Sequence, residues 1–233
     1  MTTPRIVSHE EWLEAQQTHL AKEKEFTRLR DKLARSRREL PWERVEKNYV
    51  FDAPDGKVTL ADLFDGKGQL IVQHFMFGPD WNEGCPSCSF WTDNFNGVDV
   101  HLGHRDTAFV VVSRGPIDKL EAYRKRMGWT VSWVSSLNND FNFDFGVSFK
   151  PDEQAAKYNL DTVKPYGQEN PGLSAFRRMT GGGEDGAIYR TYSTYARGLD
   201  VLNGTYHLLD MTSKGRDEDP ERPMSWVRRH DRY

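Results

Sequence analysis

The feature that most constrains this chain is an apolar run of strand length, Leu70 to Phe77, followed after a short polar turn by Gly84-Cys85-Pro86-Ser87-Cys88. A near-continuous apolar run of this length predicts a strand buried on both faces, as in a parallel sheet. A second run of the same character spans Thr107 to Ser113, and a helix-length segment from Pro86 to Gly103 lies between them. Strand, helix and strand in that order predict a right-handed crossover unit.

The rest of the chain extends this pattern. Tyr49 to Phe51, the Asp55-Gly56 turn and Val58 to Leu60 predict a hairpin. Pro116 opens a helix carrying Ile117, Leu120, Tyr123 and Met127, with Gly128 as its stop, and Thr130 to Ser135 predicts a third short strand. Asp140 to Lys150 is expected to be irregular, whereas Gly172 to Arg178 and Ala187 to Tyr195 predict two antiparallel strands joined by a glycine-rich loop. Before Pro41, Ser8 and Glu11 form a capping box, and neither Gly nor Pro interrupts the next stretch to Glu39. A helix of roughly 30 residues would be about 45 Å long. It either lies across its own domain or packs on a second subunit to make a homodimer. The expected organisation is a helical extension over 1–47, an α/β domain over 48–213 and a C-terminal loop and tail over 214–233.

Charge and composition narrow the function classes. Of the first 47 residues, 20 are charged, yet the whole chain balances 32 Lys and Arg against 35 Asp and Glu. A near-neutral chain is not expected to bind nucleic acid. No stretch approaches the roughly 20 apolar residues of a membrane span, and the start lacks an apolar leader, so a cytoplasmic protein with no membrane partner is expected. Two cysteines are too few for a disulfide scaffold.

Those two cysteines carry the chemistry. Cys85 falls where a helix begins, and unpaired backbone amides together with the helix dipole favour the thiolate there. Pro86 suits the first helical position, and the two-residue spacing brings the sulfur of Cys88 to Cys85 across one turn. Cys85 is thus the candidate nucleophile and Cys88 the resolving thiol. A structural disulfide closing so short a loop would contribute only about 2 kcal/mol. Zinc binding with His101 and His104 nearly fits finger spacing, but a helix from Cys88 would put His101 about 20 Å away.

The order of elements and the placing of this pair resemble the thioredoxin fold, a central mixed sheet flanked by helices. In that fold a cis-proline opens a strand opposite the cysteines, and Pro171 matches it within Pro171-Gly-Leu-Ser-Ala-Phe176. The resemblance implies that Asn170 presents its backbone to a substrate chain and that Pro171, with Pro86 and Trp81, lines the substrate side. The match is nearer to a bacterial thioredoxin-like family labelled predicted dithiol-disulfide oxidoreductases. It is carried by Glu39 to Trp42, Phe75 to Trp81, Gly84 to Trp91, Asp140 to Val147 and Tyr192 to Gly198. It implies exchange with a protein or small-molecule disulfide, a dithiol electron donor and no cofactor. Leu60 to Cys85 also resembles peroxiredoxins, but Asn82 stands where their hydroxyl residue is expected, and Arg114 is a candidate for their arginine.

His74, Asp80 and Glu83 are candidate proton-transfer groups beside the pair. Two alternatives to exchange stand beside it. One is a thiol peroxidase using the same cysteines. The other is a non-enzymatic protein holding a thiophilic metal through Cys85, Cys88 and His74.

Overall fold

In the computed structural model, which describes residues 4–165 and 167–233, the chain forms two compact units, Met1–Pro41 and Trp42–Tyr233. The first is built around a single helix, α1 (His9–Arg38). Its capping box forms as the sequence predicts: Ser8 Oγ accepts the Glu11 amide, and the Glu11 carboxylate accepts the Ser8 amide. Glu10 and Glu11 occupy the first turn and Arg35, Arg37 and Arg38 the last, each complementing the helix dipole. No α1 residue is buried.

The second unit is an α/β domain on one eight-stranded mixed sheet. A short strand, β1 (Glu43–Arg44), precedes the expected hairpin of β2 (Val50–Ala53) and β3 (Gly56–Thr59). The first apolar run becomes β4 (Gln69–His74). The segment after it forms two helices, α2 (Pro86–Phe95) and α3 (Val98–Gly103), rather than one. The break lies at Asn96-Gly97, where Gly97 adopts φ +88°, a conformation that glycine reaches without a Cβ clash. The second apolar run is β5 (Thr107–Ser113), then α4 (Ile117–Arg126), β6 (Ser132–Ser135) and a single-turn α5 (Phe141–Asp144). A separate small hairpin, β7 (Ala156–Tyr158) and β8 (Asp161–Val163), was not expected from the sequence. The expected antiparallel pair is β9 (Gly172–Arg178) and β10 (Ile188–Tyr195), followed by 3-10 turns and α6 (Gly204–Leu209).

The strand order is β1-β10-β9-β4-β5-β6-β2-β3. Strands β4, β5 and β6 run parallel, and β9 lies antiparallel along the other side of β4. A parallel β4–α2–β5 crossover closed by an antiparallel hairpin is the thioredoxin-like arrangement.

Strand alternation divides the core into two layers. Leu70, Val72 and Val112 face a layer shared with Phe51, Phe64 and Phe141. On the other side Phe75, Val111 and Trp133 pack with Phe90, Trp91 and Tyr123 of α2 and α4. The two-sided burial of β4 and β5 explains why their sequences read as continuous apolar runs. Among the described residues, no helix is long and apolar enough to cross a membrane.

The cap on α1 is testable by itself. Ser8→Ala removes an acceptor that nothing else replaces and should cost about 1 kcal/mol of local helix stability. Amide hydrogen exchange over residues 9–13 should accelerate several-fold, while exchange in β4 and β5 stays unchanged.

Candidate active site

Strand β4 delivers the chain to the site, and Met76, two residues past its end, holds it there. The Met76 amide donates to Cys88 Sγ at 3.4 Å, and the Met76 carbonyl accepts the Cys85 amide at 3.1 Å. One residue at the strand end therefore fixes both cysteines. Cys85 is the N-cap residue of α2, with Pro86 at the first helical position. Gly84 is buried against aromatic rings; a Cβ there would come within 2.6 Å of Phe75 Cε1 and 2.9 Å of Tyr123 Cε1. Only glycine lets the loop pass this close.

The two thiols differ in environment. Cys85 is half-buried, whereas Cys88 is 3% exposed. A hydrogen bond from the Cys88 thiol, backed by the backbone amides of Cys88 and Ser87 and by the Ser87 hydroxyl, brings Cys85 down to about 7. Burial is the main influence pushing Cys88 well above the ordinary thiol range, and the Cys85 sulfur adds to it. Cys85 is therefore the easier of the two to ionise, and Cys88 keeps its proton.

The first turn of α2 is tied down by polar side chains. Ser89 Oγ donates to the Cys85 carbonyl at 2.8 Å and lies 2.9 Å from the Tyr123 hydroxyl. Gln73 donates to the Cys88 carbonyl at 3.4 Å, and Thr92 Oγ1 lies 3.1 Å from Gln73 Oε1. The C-terminal tail reaches the same loop: Arg229 donates to the Gly84 carbonyl at 2.7 Å and to the Tyr123 hydroxyl at 3.1 Å. A cavity of about 260 Å³ opens beside Cys88, with Ser87, Met76, Trp91, Pro171 and Leu199 among its walls.

Several candidates occupy places that differ from their expected roles. The Asn170–Pro171 bond is trans, as are all peptide bonds among the described residues, so Pro171 is not a cis-proline. It nevertheless lines the cavity, and its carbonyl accepts the Tyr158 hydroxyl at 3.0 Å. The Asn170 amide is committed to the Val147 carbonyl at 2.8 Å. Trp81 is 38% exposed, folds its indole against Gly78 and is not part of the cavity wall. Pro86 is half-buried and serves the helix start. Asp80 is exposed on the preceding turn. Glu83 is gripped by Arg126, by Arg229 at 3.0 Å and by Arg232 at 3.6 Å, and the Arg126 hydrogen bond lowers its carboxyl further into the ionised range. It is a structural anchor for the tail.

His74 is the clearest departure. Alternation along β4 turns its ring to the sheet face away from α2, where it packs beside the touching rings of Phe141 and Phe145 at 5.6 and 5.8 Å. Nε2 meets Ser174 Oγ at 2.8 Å. Its ring therefore does not join the cysteines as proton shuttle or metal ligand, although His74, at the end of β4, also borders the cavity beside Cys88. Among the described residues no three His, Cys, Asp or Glu side chains converge on a point that would hold a metal ion.

The sequence reading missed a buried ion pair. Glu169, 5% exposed, meets Arg114 at 3.1 Å and accepts from Ser148 at 2.6 Å. Burial raises its carboxyl, and its negative charge also acts on Cys88. Arg114 is thus bound to Glu169 and stacks on Phe143 at 4.4 Å.

The chain belongs to DUF899, a family of bacterial proteins of unknown function, whose model matches residues 1–233. No curated protein matches its sequence. Among solved structures, the chain is similar to a PrxQ mutant from Xylella fastidiosa, at 14% identity and TM-score 0.42, covering 69% of this chain and 89% of that one. It is also similar to the peroxidoxin BcpB from Mycobacterium tuberculosis, at 10% identity and TM-score 0.46, covering 72% and 98%. A hypothetical protein from Sinorhizobium meliloti matches at 11% identity and TM-score 0.40, covering 64% and 68%.

Burial of His74 has a measurable consequence. Desolvation lowers its imidazole to about 3, against about 6.5 when unfolded. A base depressed in this way adds stability that is fully present above pH 6.5 and is lost as pH falls towards 3. In urea titrations the protein should lose up to about 1.4 kcal/mol per pH unit in that window from this group. His74→Phe should lack that component, and the His74 ring resonances should show no titration between pH 5 and 8.

Proposed function

We propose that this protein is a thiol–disulfide oxidoreductase in which Cys85 attacks and Cys88 resolves. The observation that carries this reading is the placing of both cysteines on the first turn of α2, tied to the Met76 backbone, with Cys85 partly exposed at the N-cap and Cys88 buried behind it, so that the two thiols are pushed in opposite directions. An ionised sulfur at a helix start is a ready nucleophile, and a protonated neighbour is held in reserve.

The reaction balances in two exchanges. The Cys85 thiolate attacks one sulfur of a disulfide, forms a mixed disulfide and releases the other half as a thiolate. The negative charge passes from Cys85 to the released thiolate, which takes the proton of Cys88. The Cys88 thiolate then attacks the Cys85 sulfur, closes the intramolecular disulfide and expels the second thiolate. An external dithiol returns the pair to its reduced form, and no organic cofactor is needed.

A peroxidase would use the same Cys85 thiolate. It is favoured less because Arg114, the residue that would activate a peroxide, is engaged by Glu169 and Phe143.

Alkylation against pH tests the proposal. Iodoacetamide should modify Cys85 with a midpoint near 7 and leave Cys88 untouched. Cys88→Ala removes the leading hydrogen bond, so the midpoint should rise towards the ordinary value of about 8.5, and the rate at neutral pH should fall by roughly ten-fold. Cys88→Ser, whose hydroxyl can still donate, should move less and should accumulate mixed disulfide on Cys85. An unchanged midpoint in Cys88→Ala overturns the mechanism.

A further inference from the structure

Two observations bear on what Cys85 would exchange with. The first is that the backbone groups an extended polypeptide would use beside the cysteines are already bonded within the protein. The Asn170 amide is spent on Val147, and the Pro171 carbonyl accepts from Tyr158. Gly172, next along, pairs with both His74 and Tyr195 inside the sheet. A docking protein chain would have to break the Asn170 and Gly172 bonds, and to share the Pro171 carbonyl with Tyr158, before making bonds of its own.

The second is the cavity. Its volume of about 260 Å³ is bounded mainly by Met76, Trp91, Phe95, Leu173 and Leu199. An apolar protein cavity of about 150 Å³ holds a benzene-sized molecule, so this one takes a short alkyl chain or one ring with a small substituent. Ser87 and Cys88 form part of its wall, and both share the first turn of α2 with Cys85, its N-cap residue. An occupant therefore lies within one helical turn of the nucleophile. Charge at the cavity is already compensated: Asp200 accepts from Arg197 at 2.8 Å and from Arg216 at 2.9 Å. This leaves little to reward a charged ligand.

We infer that the cavity beside Cys88 binds the apolar arm of a small, uncharged organic disulfide, which is the oxidant that the Cys85–Cys88 dithiol reduces. The inference rests on the exchange reading above. One arm seats in the cavity, which brings the disulfide sulfurs to the wall formed by Ser87 and Cys88. Cys85 attacks the sulfur of one arm and the other arm leaves as a thiolate. Closure of the Cys85–Cys88 bond then expels the first arm as a second thiolate. One substrate disulfide is reduced to two thiols, and one protein dithiol is oxidised.

Dipropyl disulfide and hydroxyethyl disulfide test this directly, because they are nearly equal in size and differ by a methyl against a hydroxyl at each end. Reduced protein is mixed with each, and with a protein disulfide such as insulin, and loss of free thiol is followed. Each rate is divided by the rate of the same disulfide with dithiothreitol, which removes intrinsic reactivity. The dipropyl compound should be favoured at least ten-fold over the hydroxyethyl compound, in the range that a methylene-sized difference in an apolar pocket gives. Insulin should be slower than both. Leu173→Trp, which fills the cavity from β9, should cut the dipropyl rate to the hydroxyethyl level; the wild-type comparison stands alone if that variant does not fold. Equal normalised rates, or faster reaction with insulin, overturn the inference while the exchange reading stands. Failure of all three disulfides to oxidise the pair overturns both.

Discussion

The site depends on two thiols held at unequal burial on the first turn of α2, Cys85 partly exposed at the N-cap and Cys88 buried behind it. The two are pushed apart: Cys85 is easier to ionise with Cys88 and the helix-start amides beside it, and Cys88 is harder to ionise because it is buried and next to that sulfur. This difference survives only while the turn keeps its place. The scaffold accordingly fixes the turn from several directions. Met76 bonds both cysteines through its own backbone, Ser89 holds the Cys85 carbonyl and is itself held by the Tyr123 hydroxyl, and Arg229 grips the carbonyl of Gly84. Gly84 itself has no room for a side chain. These contacts come from a strand end, two helices and the C-terminal tail, so the cysteine loop is positioned by the tertiary structure as a whole.

Strand alternation makes the second decision. Gln73 and His74 are adjacent in sequence and both buried, yet they face opposite layers. Gln73 turns towards α2, where it bonds the Cys88 carbonyl and sits within reach of Thr92. His74 turns away into an aromatic slot and is kept neutral by desolvation. Shifting the register of β4 by one residue would exchange them, placing an imidazole beside the thiols and an amide among phenylalanines. Six residues of pairing on each side of β4, with β5 and with β9, oppose such a slip. Pairing of Val72 with Val110 in β5 and with Ser174 in β9 holds the register from both neighbours.

The fold was legible in the sequence because its signals are local and strong. The capping box at Ser8, the two apolar runs and the cysteine pair after the first run each constrain a few adjacent residues, and each forms as read. Boundaries moved where a single residue acts against the pattern, as Gly97 does in dividing α2 from α3. The site was legible only as far as the cysteines. Membership of the site for His74 was inferred from nearness along the chain, and period-two alternation reverses that inference. The alternation was readable, since Leu70, Val72 and His74 share a parity, but which parity faces α2 depends on long-range packing. Arg229 and Glu169 carried no usable signal, because they meet the cysteine loop and Arg114 from 145 and 55 residues away along the chain.

The mouth of the cavity shows how such distant segments come to specify what enters. Tyr158, from the small hairpin that no sequence pattern announced, places its hydroxyl between two of the cavity's walls. It donates to the Pro171 carbonyl at 3.0 Å and accepts the Ala196 amide at 3.1 Å. Its ring lies edge-on to Phe149 at 6.3 Å and packs against Tyr195 at 5.5 Å. Pro171 and Ala196 both line the cavity, so one hydroxyl joins the start of β9 to the end of β10 at the opening. The bond to Ala196 spends the single donor of that amide, and the bond to Pro171 takes one of the two lone pairs of its carbonyl. The same two bonds thus brace the rim and leave it few free polar groups. What the rim still offers is the apolar interior behind it, and that interior ends at the wall that holds the Cys85 sulfur.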